Sequence, residues 1–184
     1  ILPESSWFRT PLGTVRVDEE SVETLLSCGT MFVRNDIPHL EEHCIEVLLP
    51  FVQFHFPEAG IVPVLVGRDS KAAVKALEKA LFIAFGEVFA ETLFVVSTNF
   101  SGGGDIGAGK AEADEIVAAA LRGDAEALTA GKTSRKYDAC GVGCLAALLA
   151  LHPGGKVRLL GRGSSVSDPE RMRGVEYAAI SVDP

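Results

Sequence analysis

Three clusters hold residues whose types and spacing could do chemistry. In Glu41-Glu42-His43-Cys44-Ile45-Glu46, a helix starting near Glu41 would place His43 and Glu46 at i and i+3 on one face. There the carboxylate could orient the imidazole as a base, or both could join a metal's ligand set. One such pair is short of the ligands a metal requires, so spacing alone assigns it structural hydrogen bonds. His39 precedes by four residues, but Pro38 breaks a shared helical face, and His55 and His152 stand alone. Cys140-Gly-Val-Gly-Cys144 puts two sulfurs at i and i+4. Zinc would need two further ligands, and redox pairs use two intervening residues rather than three. Cys144 therefore reads as a small buried thiol, whereas Cys140, at a helix start, is the one open to function. The third cluster is the turn Ser101-Gly102-Gly103-Gly104-Asp105. It has neither the Lys-Ser/Thr of a phosphate loop nor a dinucleotide fingerprint.

These clusters need a scaffold to bring them together. Gly13 to Val17 reads as a short strand, and Asp18 caps a helix to about Ser27, ended by Gly29. From Glu41, the residues Ile45, Leu48, Leu49 and Val52 recur at helical spacing, with Pro50 expected to bend or end that helix midway. The β-branched runs Ile61–Val66 and Leu93–Ser97 predict adjacent buried parallel strands, joined by a helix over Asp69–Phe89 that is interrupted at Gly86. Helices follow over Lys110–Leu121, Ala125–Ala130 and Cys140–Leu151, then closing strands over Lys156–Leu160 and Val175–Val182. The expected class is α/β in three layers, a mainly parallel or mixed sheet flanked by helices, as a single domain over residues 1–184. Ser101 and its glycines then fall at the carboxyl end of a central strand, where open α/β sheets place ligands.

Composition narrows the functions available. With 17 basic against 25 acidic residues the net charge is −8, which repels phosphate backbones and argues against nucleic acid as a partner. The longest apolar stretch, Cys140 to Leu151, falls short of the roughly 20 residues that cross a bilayer, so no membrane partner is expected. Four cysteines in apolar surroundings, with no signal peptide before them, fit a reducing cytoplasm.

The order of several segments carries a resemblance. Phe8-Arg9-Thr10-Pro11-Leu12-Gly13, Glu42-His43-Cys44-Ile45-Glu46-Val47-Leu48-Leu49-Pro50-Phe51, Ile61-Val62-Pro63-Val64-Leu65-Val66-Gly67, Phe94 to Ser101, Ala139-Cys140-Gly141 and Gly174-Val175-Glu176-Tyr177-Ala178-Ala179 together resemble the Memo family. Its bacterial members are called AmmeMemoRadiSam system protein B. The family is similar to the catalytic subunit of class III extradiol dioxygenases, which implies an α/β fold and a non-haem iron site. In that family the metal lies among two N-terminal histidines, a cysteine matched here by Cys140, and the Asp and His of a Ser-Ser-Asp-Phe-x-His stretch. Here the Asp is Asn99 and the His is Gly102, and the motifs Pro-His-Ala-Gly and Gly-Pro-x-His have no counterpart in the 184 residues.

The expectation is a Memo-like domain without the family's N-terminal metal-ligand segment. Its degenerate, metal-free pocket is lined by His43, Glu46, Asn99, Ser101, Gly102 and Cys140, and it serves small-molecule binding or protein interaction. No cofactor is expected in this chain. With the histidines supplied by a further N-terminal segment or by a partner chain, iron or another divalent metal would bind through Cys140, giving the alternative of a dioxygenase-like oxidoreductase. The resemblance also implies a radical SAM protein as partner. An open sheet edge calls for cover by dimerisation or a further segment.

Overall fold

The computed structural model describes residues 1–67, 70–101, 105–168 and 173–183, and all side chains among them except those of 166–168 and 173. Asp69 and Gly102–Gly104 lie outside the described residues. Helices and small sheets make a mixed α/β chain, grouped into two compact units: Ile1–Gly67 with Lys79–Leu93, and Arg68–Glu78 with Phe94–Pro184.

In the first unit, β1 (Trp7–Thr10) and β2 (Gly13–Arg16) form an antiparallel hairpin with Phe8 opposite Val15. The Pro11-Leu12 turn is held by the Leu12 N–H, which donates to Thr10 Oγ1 at 3.0 Å, and Gly13 takes a φ of 126° that a side chain would resist. Asp18 caps α1 (Glu19–Ser27) by accepting the Ser21 N–H at 3.3 Å, and Val22 and Leu25 sink into the core beside Leu2 and Val17. Arg34 gathers this edge, donating to Glu19 at 2.8 Å, Glu23 at 2.7 Å and the Pro3 carbonyl at 3.0 Å.

The expected helix from Glu41 is replaced by two shorter ones. Helix α2 (Ile37–Glu41) ends where the sequence predicts a start, and Glu42 is extended, with φ −97° and ψ 140°. Turns over 44–48 lead into α3 (Leu49–His55), with Pro50 in its first turn. Pro50 thus opens a helix instead of interrupting one, since a first-turn residue needs no N–H partner. Pro38 does the same for α2.

The two β-branched runs also depart from expectation. Among the described residues neither builds a strand ladder. Ile61 makes one parallel bridge to Val17, its N–H donating to the Arg16 carbonyl at 2.9 Å, and the Leu65 N–H donates to the Ile1 carbonyl at 2.9 Å. Pro63, between these two points, has no N–H to give. The second run is not buried, with Leu93 66% and Val95 54% exposed, and Phe94–Ser97 belongs to the other unit. β-Branched composition sets a backbone preference, but a strand also requires a neighbour in register. Both sheets seen are two-stranded and antiparallel.

Helix α4 (Lys71–Phe85) starts at Ser70, whose Oγ accepts the Ala73 N–H at 3.2 Å, and a 3-10 segment over Gly86–Glu91 follows it. In the second unit α5 (Ile106–Leu121) and α6 (Ala125–Thr133) are capped by Asp105 and Asp124, each accepting an N–H at 2.9 Å. Helix α7 (Val142–Leu151) buries Val142, Leu145, Ala146, Ala147 and Leu149, and packs against α5 and α6. The closing strands are longer than expected: β3 (Lys156–Asp168) and β4 (Arg173–Asp183) form an antiparallel hairpin whose register shifts between Leu159 and Gly161.

Candidate functional site

Cys140 sits in the turn before α7, and that turn is held almost entirely by side chains from elsewhere in its unit. The Asp138 and Ala139 N–H groups donate to Glu112 Oε1 of α5 at 2.6 and 2.9 Å. Lys132 of α6 donates to the Ala139 carbonyl at 2.7 Å. The Cys140 N–H donates to Asn99 Oδ1 at 2.8 Å, and the Gly141 N–H to Thr98 Oγ1 at 2.7 Å. Gly141 makes the last contact feasible, because a Cβ there would lie 2.7 Å from Thr98 Cβ and 3.1 Å from the Ser97 carbonyl. The result is an elbow whose backbone is fixed and on which the Asp138 and Cys140 side chains are exposed, the Cys140 sulfur lying 3.7 Å from Thr98 Oγ1.

The strip opposite is anchored to β4. The Phe100 N–H donates to the Glu176 carbonyl at 3.0 Å, and the Glu176 N–H donates back to the Oγ of fully buried Ser101 at 3.1 Å. Asn99 ties this strip to the elbow: its Oδ1 accepts from Cys140 while its Nδ2 donates to the Ser101 carbonyl at 2.7 Å. Those two partners fix the amide's orientation, since one must receive a proton and the other supply one.

Asn99 is thus hydrogen-bonded to both Ser101 and Cys140, while Gly102 lies outside the described residues. His43 and Glu46 belong to the first unit, both exposed and 3.9 Å apart in the turns before α3 rather than on a helix. Cys144 lies half-buried in α7. Thr98, Glu112 and Lys132 were not legible as site residues. Thr98 lies inside a quoted segment without a role of its own, and Glu112 and Lys132 look in sequence like ordinary solvated helix charges.

A divalent metal needs several donors that are free to face it. Among the described residues no three His, Cys, Asp or Glu side chains come together in that way. Beside Cys140, Asn99 Oδ1 and Thr98 Oγ1 already accept backbone N–H groups. The donor set described at this elbow does not fit an iron site.

Comparison with known proteins agrees with the order of these segments. The family profile described as Memo-like protein matches residues 1–179. A MEMO1 family protein of Thermotoga maritima is 40% identical over 101 residues, covering 55% of this chain and 36% of the relative. One of Thermotoga neapolitana is 35% identical over 158 residues, covering 82% and 54%, and one of Pyrococcus abyssi 34% over 104 residues, covering 54% and 35%. The chain spans about half the length of the relatives it matches, or less. A match of that extent across a segment order this specific leaves one assignment: the chain belongs to the Memo family.

Proposed function

We propose that this chain is a Memo-family binding module whose Cys140 elbow takes a small molecule without metal chemistry of its own. The reading is carried by the double engagement of the Asn99 amide. At the position where the family resemblance implies an acidic group, a neutral side chain spends both of its polar atoms holding the Cys140 and Ser101 backbones. What stays open is the exposed Cys140 thiol, since the Thr98 hydroxyl beside it is already engaged by the Gly141 N–H and the Asn99 carbonyl, and such a thiol suits a soft ligand group. The reading rests on Asn99, Ser101 and Cys140 and needs neither His43 nor Glu46. A three-layer arrangement like that of the class III extradiol dioxygenases is part of the same proposal, supported by family membership.

Anaerobic Fe(II) titration of the chain tests it, followed by calorimetry and by the thiolate-to-metal absorption that a Cys140 ligand would produce. The expected outcome is no stoichiometric binding. Tight one-to-one uptake that is lost in Cys140→Ala would replace the binding module with a metal-dependent oxidoreductase.

A further inference from the structure

The first unit carries a surface that the Cys140 elbow does not explain. No Lys or Arg occurs anywhere in residues 35–67, whereas Asp36, Glu41, Glu42, Glu46 and Glu58 do. In the same stretch large apolar side chains stand in solvent: Leu40 is 85% exposed, Phe51 66% and Phe54 77%, with Val47 and Phe56 also exposed. Val47, Phe51 and Phe54 follow i, i+4, i+7 spacing. The Val47 N–H donates to the His43 carbonyl at 3.3 Å, and Phe51 and Val52 both donate to Leu48, so the turns run into α3 with near-helical bonding. Leu49 of the same helix is buried, which leaves the phenylalanines on the outward side. Beside them, between α3 and the β1–β2 hairpin, opens a cavity of about 180 Å³ whose walls include Trp7, Val52, Phe56 and Pro57, with Arg16 and Glu58 as its charged lining.

Single exposed apolar residues are ordinary, but Phe51 and Phe54 of α3 together with Val47 of the preceding turn, beside a cavity, mark a contact surface. Its charge selects the occupant. Five carboxylates against the single Arg16 of the cavity wall repel anionic lipid and nucleic acid, and a second copy of a chain with net charge −8 is disfavoured by the same repulsion. A cationic amphipathic helix satisfies both features, placing apolar anchors on Val47, Phe51 and Phe54 and Lys or Arg against Glu41, Glu42 and Glu46. We propose that the α2–α3 surface of the first unit docks a basic, amphipathic helical segment of a partner polypeptide. This stands apart from the Cys140 reading, sharing no residue with it.

Trp7 is the chain's single tryptophan, so its fluorescence reports on the cavity directly. Titration with a leucine/lysine amphipathic peptide should shift Trp7 emission to the blue. The double variant Phe51→Ser with Phe54→Ser leaves the charge unchanged and should weaken binding about tenfold or more, as removal of apolar anchors does. Glu41→Gln with Glu42→Gln should weaken it and flatten its salt dependence. Equal binding of a leucine/glutamate peptide of the same pattern overturns the proposal. So does an equal loss from Glu126→Gln with Asp138→Asn, which removes the same charge from the second unit. A dimer seen by sedimentation and broken by Phe54→Ser overturns it as well, by giving the surface to a second copy.

Discussion

Asn99 and Cys140, 41 residues apart, are joined by a hydrogen bond of 2.8 Å from the Cys140 N–H to the Asn99 carboxamide oxygen. The amide nitrogen of Asn99 simultaneously reaches the Ser101 carbonyl at 2.7 Å. A side chain at 99 must therefore accept on one side and donate on the other. Asparagine does both, while an ionised aspartate only accepts.

Asn99→Asp accordingly sets a carboxylate oxygen against the Ser101 carbonyl. The expected loss is about 1–3 kcal/mol, the cost of a polar group left facing the wrong partner. Denaturant melts of the two proteins, compared at constant m-value, check it, and stability equal to wild type would remove the latch from the account.

Glu112 holds two consecutive N–H groups of the elbow on one oxygen. Glu112→Ala should cost about 1–2 kcal/mol and raise amide exchange at Asp138 and Ala139. Glu112→Gln keeps an accepting oxygen and should retain most of both. If alanine and glutamine behave alike, the clamp contributes nothing.

Gly131 of α6 lies under the ring of buried Tyr137. A Cβ there would stand 2.6 Å from Cδ2 and 2.7 Å from Cζ. Gly131→Ala should therefore destabilise by about 1–3 kcal/mol through overpacking, despite alanine's better helix propensity. Gly86→Ala, with no atom within 4 Å of its new Cβ, is the matched control and should be near neutral. Thermal melts distinguish the two.

Both ring nitrogens of His39 are buried, and the ring meets Phe8 edge-on at 5.8 Å. Burial pushes its pKa below the ordinary value, with the Asp36 carboxyl pulling the other way. The unfolded chain then takes up a proton more readily than the folded one. His39 costs the fold nothing while pH stays above the unfolded value of about 6.5, and stability falls as pH drops through it toward the lower folded value. His39→Leu should flatten the profile between about pH 7 and pH 5 in urea melts. An unchanged slope would assign the acid sensitivity to other groups.

Local signals were readable where local physics decides. Asp18 fixed the start of α1, and the segment Ala125–Ala130 and the apolar run of α7 fall in helices that composition indicates. Pro50 misled because a proline's effect depends on whether it falls in a helix's first turn or its middle, and only the neighbouring Glu42 backbone settles that. Ile61–Val66 misled because hydrogen-bonding neighbours are a tertiary property. Asn99 was picked out by the family resemblance, and Cys140 by its place at a helix start as well. The roles of Thr98, Glu112 and Lys132 depend on where a turn passes, which spacing along the chain does not encode.

The cation-free stretch over residues 35–67 has a further consequence for digestion. Trypsin, which cuts after Lys and Arg, has no site between Arg34 and Arg68, so α2, α3, Cys44 and the exposed phenylalanines leave the protein on a single long fragment. Survival of that fragment under trypsin carries no information about how well the region is folded. Chymotrypsin, which cuts at aromatic residues, has Phe51, Phe54 and Phe56 within reach of solvent and would report its folding directly. Cys44 is the one cysteine on that fragment, so a tryptic map still assigns thiol labelling to it even though it says nothing of the fold around it.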